Sequence, residues 1–256
     1  MILNHKVFGS SNHKIIILHG LLGSLDNWVT VAKNLANNGF EIILVDQRNH
    51  GKSFHADQFD YQTMCEDLKK FLDEKKIKKA SLIGHSMGGK TIMNFTLNYP
   101  NYVNKVIVVD ILPKAYNNDY EKIFSSFSKM DLNNLKSRKQ IDEYFSRFFS
   151  DHTFVSFLSK NINRDSNGKF KIKFNLKSIK SNILKITSAI RTDRVFNEDI
   201  LFIKGEYSNY IDDQGLFEAK KLFPKLSLVT IENSSHWIHY ENQKKFLIEI
   251  LNYLRT

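Results

Sequence analysis

Five residues, Gly84-His85-Ser86-Met87-Gly88, constrain this chain more than any other stretch. They stand between an apolar run, Ala80 to Ile83, and a segment of helical spacing, Met87 to Asn98, that halts before Pro100. A strand therefore passes into a helix with no spare residues between them. So sharp a turn strains the backbone and crowds neighbouring side chains, which glycine at 84 and 88 removes. It also raises a serine hydroxyl above the sheet edge, at a helix N-terminus whose dipole favours negative charge.

The rest of the chain repeats the rhythm. Lys14 to Leu18 reads as a buried strand, and Glu41 to Val45, Lys105 to Val109, Ile200 to Ile203 and Leu226 to Ile231 read as further strands. Helical spacing covers Leu25 to Asn37, ended by Gly39, and Tyr61 to Lys75. Two more helices are expected around Asp213 to Leu222 and Glu241 to Leu254. Continuous apolar strands alternating with amphipathic helices predict an α/β fold, a mostly parallel sheet covered on both faces. From Pro113 to about Phe196 the rhythm fails. That stretch is rich in Phe, Lys, Ser and Asn and mostly helical in pattern, with one period-2 extended stretch, Phe170 to Phe174. It reads as a helical lid inserted after the strand ending at Asp110. The expected organisation is a core of 1–112 and 197–256 carrying an inserted cap of 113–196.

A serine hydroxyl is a poor nucleophile until a base takes its proton. His236 is the candidate base, because it sits on the loop after the last strand and can reach across to Ser86. His239, three residues on, points elsewhere on a starting helix, and His85 is expected to pack. The imidazole needs a carboxylate to hold its tautomer. Asp110 ends the strand next to the nucleophile's strand and is the candidate acid, with Asp212 and Glu206 as rivals in the Ile200–Ile203 strand's own following segment. Ser208 is a candidate auxiliary member, hydrogen-bonded to Asp110 or His236. The negative charge of acyl transfer needs fixed N–H donors. Met87 supplies one, and the loop His19-Gly20-Leu21-Leu22-Gly23 supplies the other, from Leu21 or alternatively Leu22. Leu22, Trp28 and Trp237 are the candidate substrate contacts.

Five segments then carry a resemblance: HGLLGSLDNW (19–28), DQRNHGKS (46–53), GHSMGGK (84–90), VVDILP (108–113) and SSHWIHYE (234–241). In this order they resemble the α/β-hydrolases, and more narrowly small bacterial esterases related to the mitochondrial α/β-hydrolase domain-containing proteins. The resemblance implies an α/β-hydrolase fold and carboxylesterase or acyl-CoA thioesterase activity through an acyl-serine, with no metal and no redox cofactor. It implies an acid after the strand that follows the nucleophile helix, matching Asp110, with the usual later Asp replaced, as Ser208 replaces it here. Asp46, Arg48 and His50 recur in the fold and read as a structural turn below the site. Asn233-Ser234-Ser235 stands where relatives often carry Gly before the histidine, which stiffens that loop.

Composition adds bounds. Net charge is +10, from 37 Lys+Arg against 27 Asp+Glu. Residues 114–199 hold 17 basic and 10 acidic residues, most of that excess. A basic lid suits phosphate-bearing partners such as acyl-CoA or acyl carrier protein, while a Lys-, Asn-, Ile- and Phe-rich composition explains the charge without a partner. No zinc-finger spacing or nucleic-acid signature accompanies it, so no nucleic-acid partner is expected. No run of 18 apolar residues predicts a membrane anchor. Met1 to Gly9 lacks the pattern of a secretory signal, and the one cysteine, Cys65, fits a reducing, cytoplasmic setting. A monomer or homodimer is expected. Two other readings keep the same residues: a carbon–carbon bond hydrolase or lyase, and a ligand-binding receptor of slow turnover.

Overall fold

The computed structural model describes residues 2–117 and 119–256. In chain order the elements before the site are β1 (His5–Phe8), β2 (Lys14–Leu18), α1 (Val29–Asn37), β3 (Glu41–Val45) and α2 (Tyr61–Glu74). Then come β4 (Ala80–His85), α3 (Met87–Asn98) and β5 (Val103–Val109). An inserted stretch follows, with α4 (Glu121–Ser128), α5 (Arg138–Ser146), α6 (His152–Ser159), β6 (Ile162–Arg164), β7 (Phe170–Ile172) and α7 (Leu176–Thr187). The chain returns through β8 (Ile200–Gly205), α8 (Asp213–Leu222), β9 (Leu226–Ile231), α9 (Ile238–Glu241) and α10 (Gln243–Arg255).

Seven strands form one sheet in the order β1-β3-β2-β4-β5-β8-β9. All neighbours run parallel except β1, which pairs antiparallel with β3. Period-2 alternation sorts the strands' apolar residues onto two faces. Ile16, Leu18, Ile43, Val45, Leu82, Val106 and Val108 pack with Leu68, Phe71 and Phe95 of α2 and α3. Ile15, Ile17, Ile42, Leu44, Ile83, Ile107 and Val109 pack with Ala32 and Leu35 of α1 and Phe246 and Ile250 of α10. Burial on both faces is why these strands read as unbroken apolar runs.

The chain runs outward from β2 to β3, then crosses back to β4 on β2's other side. That reversal opens a crevice at the carboxyl ends of β2 and β4, where sheets of this type bind ligands. The inserted stretch packs there. Its Phe124, Phe127, Ile141, Phe145, Phe157 and Phe174 form a third apolar cluster with Leu22, Phe59, Tyr61 and Met87 of the sheet layers.

Some elements differ from the sequence reading. The edge strand β1 carries no apolar run and owes its form to pairing with β3. The Leu25–Asn37 helix begins as a 3-10 turn, Leu25–Trp28. The last helix begins later than expected, at Gln243 with Asn242 as its cap, while Glu241 ends the separate short helix α9. The extended stretch shortens to β7, paired antiparallel with β6.

Candidate active site

Ser86 caps α3 with φ +52° and ψ −117°, a conformation that non-glycine residues adopt only under constraint. Its N–H donates to the Val109 carbonyl at 3.0 Å, and its carbonyl accepts from Lys90 N at 3.0 Å. The flanking glycines are required by contact. A Cβ on Gly84 would lie 2.4 Å from the Gly88 carbonyl oxygen, and one on Gly88 would lie 2.4 Å from that of Leu18.

Asp110 follows β5 with φ +51° and is fully buried. Its Oδ2 accepts from His236 Nδ1 at 2.7 Å and from the Ser208 hydroxyl. Its Oδ1 accepts from Gly205 N at 3.2 Å. Ser208 Oγ accepts in turn from Tyr210 N at 3.2 Å. The two rival acids are engaged elsewhere. Asp212 caps α8 through Gly215 N and pairs with Lys114, and Glu206 accepts from Asn233 N at 2.8 Å. The loop before His236 is pinned without glycine. Asn233 takes φ +52°, and Ser235 N and Oγ donate to the Glu241 carboxylate at 2.6 and 2.7 Å.

Ser86 and His236 line one cavity of about 320 Å³. Among the described residues no hydrogen bond joins Ser86 Oγ to His236 Nε2; such bonds commonly tighten only when substrate is bound. Leu21, Leu22 and Trp237 line the same cavity, with Ile123, Phe154 and Phe157 of the inserted stretch and Tyr210. The Tyr210 ring stacks on His236 at 4.0 Å between centroids. Tyr210 and Phe157 escaped the sequence reading, because neither belongs to a spaced motif.

The structure separates the two candidate donors of the β2 loop. Leu22 N donates to His50 Nε2 at 3.1 Å and is committed. Leu21 N makes no hydrogen bond among the described residues. Gly20 brings this loop against the elbow, since a Cβ there would lie 3.3 Å from Ser86 Cβ. Met87 opens α3, so its N–H has no acceptor within the helix.

The Asp46, Arg48 and His50 turn braces that loop from below. Asp46 accepts from Asn4 Nδ2, Leu25 N and Lys52 N at 2.7 to 2.9 Å. Arg48 forks onto Asp67 at 2.5 and 2.8 Å. Burial lowers the pKa of His50 to about 3, so the ring is neutral. With Nε2 accepting from Leu22, its Nδ1 carries the proton and donates to the Arg48 carbonyl at 3.0 Å.

Two histidines near the site are structural. His85 is buried, its pKa held well below the usual value by burial, and it bonds the His236 carbonyl through Nε2 at 2.9 Å. His239 is buried and stacks flat on Trp28 at 4.2 Å. Trp28 corrects an expectation: it sits in the core between α1, His239 and Phe246, and lines neither cavity that Ser86 borders. Its place in the 3-10 turn aims the indole inward.

Lys90 is the unusual group. It lies one turn beyond Ser86, is 1% exposed, and donates through Nζ to the Ser188 carbonyl at 2.6 Å. The ammonium lies over the rings of Tyr116 and Tyr61, and burial lowers its pKa to about 7.

Comparison with known proteins agrees with this geometry. A family model described as the alpha/beta hydrolase fold matches residues 14–243. Esterase YbfF of Escherichia coli is 31% identical over 95% of this chain and 94% of its own. An sn-1-specific diacylglycerol lipase, ABHD11 of Danio rerio, is 32% identical over 99% of this chain and 82% of its own. Among solved structures, a marine microorganism esterase superposes with a TM-score of 0.95 at 40% identity, covering 98% of this chain and 99% of its own. The chain belongs to the α/β-hydrolase family.

Proposed function

We propose that the chain is a serine esterase or thioesterase that cleaves acyl esters through an acyl-Ser86 intermediate. The observation that carries the reading is the 2.7 Å contact of Asp110 Oδ2 with His236 Nδ1, on a histidine that shares a cavity with Ser86. Asp110 accepts from Nδ1, which leaves Nε2 free as the base. Ser86 Oγ attacks the acyl carbon and passes its proton to His236 Nε2. The carbonyl oxygen gains charge between the N–H groups of Leu21 and Met87. The leaving alcohol or thiol takes the proton from Nε2, and water then repeats the sequence on the acyl-serine. Ser208, donating to the same Asp110 oxygen as His236, steadies the carboxylate.

The relatives' named activities, esterase and diacylglycerol lipase, support ester chemistry at this site. Residues 113–196 act as its cap, because Ile123, Phe154 and Phe157 wall the cavity that Ser86 borders. Apolar walls fit an acyl chain. No helix among the described residues is long and apolar enough to cross a membrane. Cys65, a buried free thiol, fits a cytoplasmic setting.

The test is hydrolysis of p-nitrophenyl esters and acyl thioesters over a range of chain lengths by wild type and Ser86→Ala. Activity lost in the variant supports the acyl-serine. Activity retained in the variant overturns the nucleophile. No multiple turnover in either redirects the reading toward carbon–carbon bond cleavage or a slow receptor.

A further inference from the structure

Ser86 is the one partly exposed residue in an otherwise buried run from Ala80 to Met93, and it borders two chambers of very different size. The large one, of about 320 Å³, is the cavity that His236 lines. The small one measures about 20 Å³ and is closed by Tyr61, Lys90, Ile111, Tyr116 and Ile186. Leu21, Tyr120 and Tyr210 line both chambers, Met87 lines only the small one, and His236 lines only the large one. A carbon bonded to Ser86 therefore stands where the two adjoin.

The chemistry of the step decides which portion of an ester enters which chamber. The departing oxygen takes its proton from His236 Nε2, so that oxygen and the alcohol attached to it lie on the His236 side, in the large chamber. The carbonyl oxygen turns to the N–H groups of Leu21 and Met87. The remaining substituent of the tetrahedral carbon is the acyl chain, left with the side that Met87 lines and His236 does not. The apolar walls of the large chamber serve an apolar alcohol as well as an acyl chain. Size then limits the acyl group. A single water needs about 10–15 Å³ of such space, so the small chamber, at about 20 Å³, admits about one methyl-sized group. Its walls are also tied to one another. Tyr61 Oη donates to the Ile186 carbonyl at 2.8 Å, and Tyr116 Oη to the Tyr210 carbonyl at 2.8 Å. Tyr116 N donates to the Thr187 carbonyl at 2.9 Å, and Lys90 Nζ to the Ser188 carbonyl at 2.6 Å. Widening the small chamber breaks such bonds. The side chains of Ile123, Phe154 and Phe157 in the large chamber have no donor or acceptor to lose.

We propose that the small chamber is the acyl pocket, and that this protein hydrolyses esters of acetic and propionic acid with bulky, apolar alcohols. The inference rests on the serine-hydrolase reading. It makes Ile186, which walls the small chamber, a residue that sets acyl length, and Phe157, which walls the large one, a residue that holds the alcohol.

The experiment uses two substrate series. p-Nitrophenyl esters from acetate to octanoate vary the acyl chain alone, and alkyl acetates from ethyl to octyl vary the alcohol alone. Wild type should lose at least about tenfold in kcat/KM from propionate to butyrate, the discrimination that one methylene commonly carries in a closed pocket. Along the alkyl acetates kcat/KM should rise several-fold as apolar contact grows. Ile186→Ala should move the acyl optimum to butyrate or longer. The milder Ile186→Val, which keeps most of the packing, should raise propionate relative to acetate. Phe157→Ala should flatten the alkyl acetate series and leave the acyl optimum in place. A wild-type optimum at butyrate or longer, with activity still lost in Ser86→Ala, overturns the acyl pocket and leaves the serine-hydrolase reading standing. A short-acyl optimum that neither Ile186 variant moves equally overturns it, as does an acyl optimum that moves with Phe157→Ala. Activity on neither series removes both readings.

Discussion

Lys90 lends itself to a quantitative test. Its ammonium is enclosed between α3 and the end of α7, with Ser188 as carbonyl partner and two tyrosine rings nearby. Burial moves its pKa from 10.5 to about 7. Between those values the unfolded chain holds a proton that the folded chain has released. Stability therefore rises with pH through that window, by about 1.4 kcal/mol per pH unit. Below about pH 7 the charged group is carried inside the fold at a cost of about 5 kcal/mol. Lys90→Met fills the same space without charge, and gives up the bond to Ser188, worth about 1–3 kcal/mol. The variant should be more stable than wild type by about 2–4 kcal/mol near pH 6. Between about pH 7 and pH 9 the difference should shrink by about 3 kcal/mol. Urea unfolding of both proteins across this range measures it directly. Other titrating groups cancel in the comparison, so a difference that stays constant with pH would refute the claim that Lys90 is a desolvated ammonium.

Three further variants follow from contacts at the site. Asp110→Asn should lower kcat on a p-nitrophenyl ester by about 10⁴-fold, because an amide can hold the wrong imidazole tautomer. Ser208→Ala keeps the Asp110–His236 contact and should cost under about tenfold, so equal losses would mean that Ser208 acts more directly. Gly88→Ala drives a Cβ into backbone oxygens of Leu18 and His19, and should destabilise by about 1–3 kcal/mol in thermal unfolding. It should also reduce kcat, since the contact pushes the β2 loop away from Ser86.

The local rules of the chain determined a large share of this. Strands β2 and β3 lie where apolar runs put them, because a doubly covered sheet writes its burial into consecutive residues, and the edge strand β9 and helices α3 and α8 also lie at the expected bounds. The elbow was legible for the same kind of reason: two glycines flanking a serine between strand and helix answer a constraint that acts over five residues. Asp110 and His236 could be nominated from their places at strand ends, but 126 residues separate them, and only the packed sheet sets them 2.7 Å apart. Leu21 is the preferred donor from sequence, and the structure adds that His50 holds the Leu22 N–H. Trp28 shows the limit in reverse. From sequence it is a candidate substrate contact, and the 3-10 turn buries it against His239 instead. Tyr210, Phe157 and the buried ammonium of Lys90 have no local signature at all, since what each touches comes from a distant segment. Sequence by itself determined the layers and the strand-to-helix turn that carries Ser86, all set by neighbours in the chain. Tertiary structure decided which of these residues come together, Asp110 with His236 and Leu21, Phe154, Phe157 and Trp237 around the cavity that Ser86 borders, because those are long-range contacts that exist only once the sheet has closed.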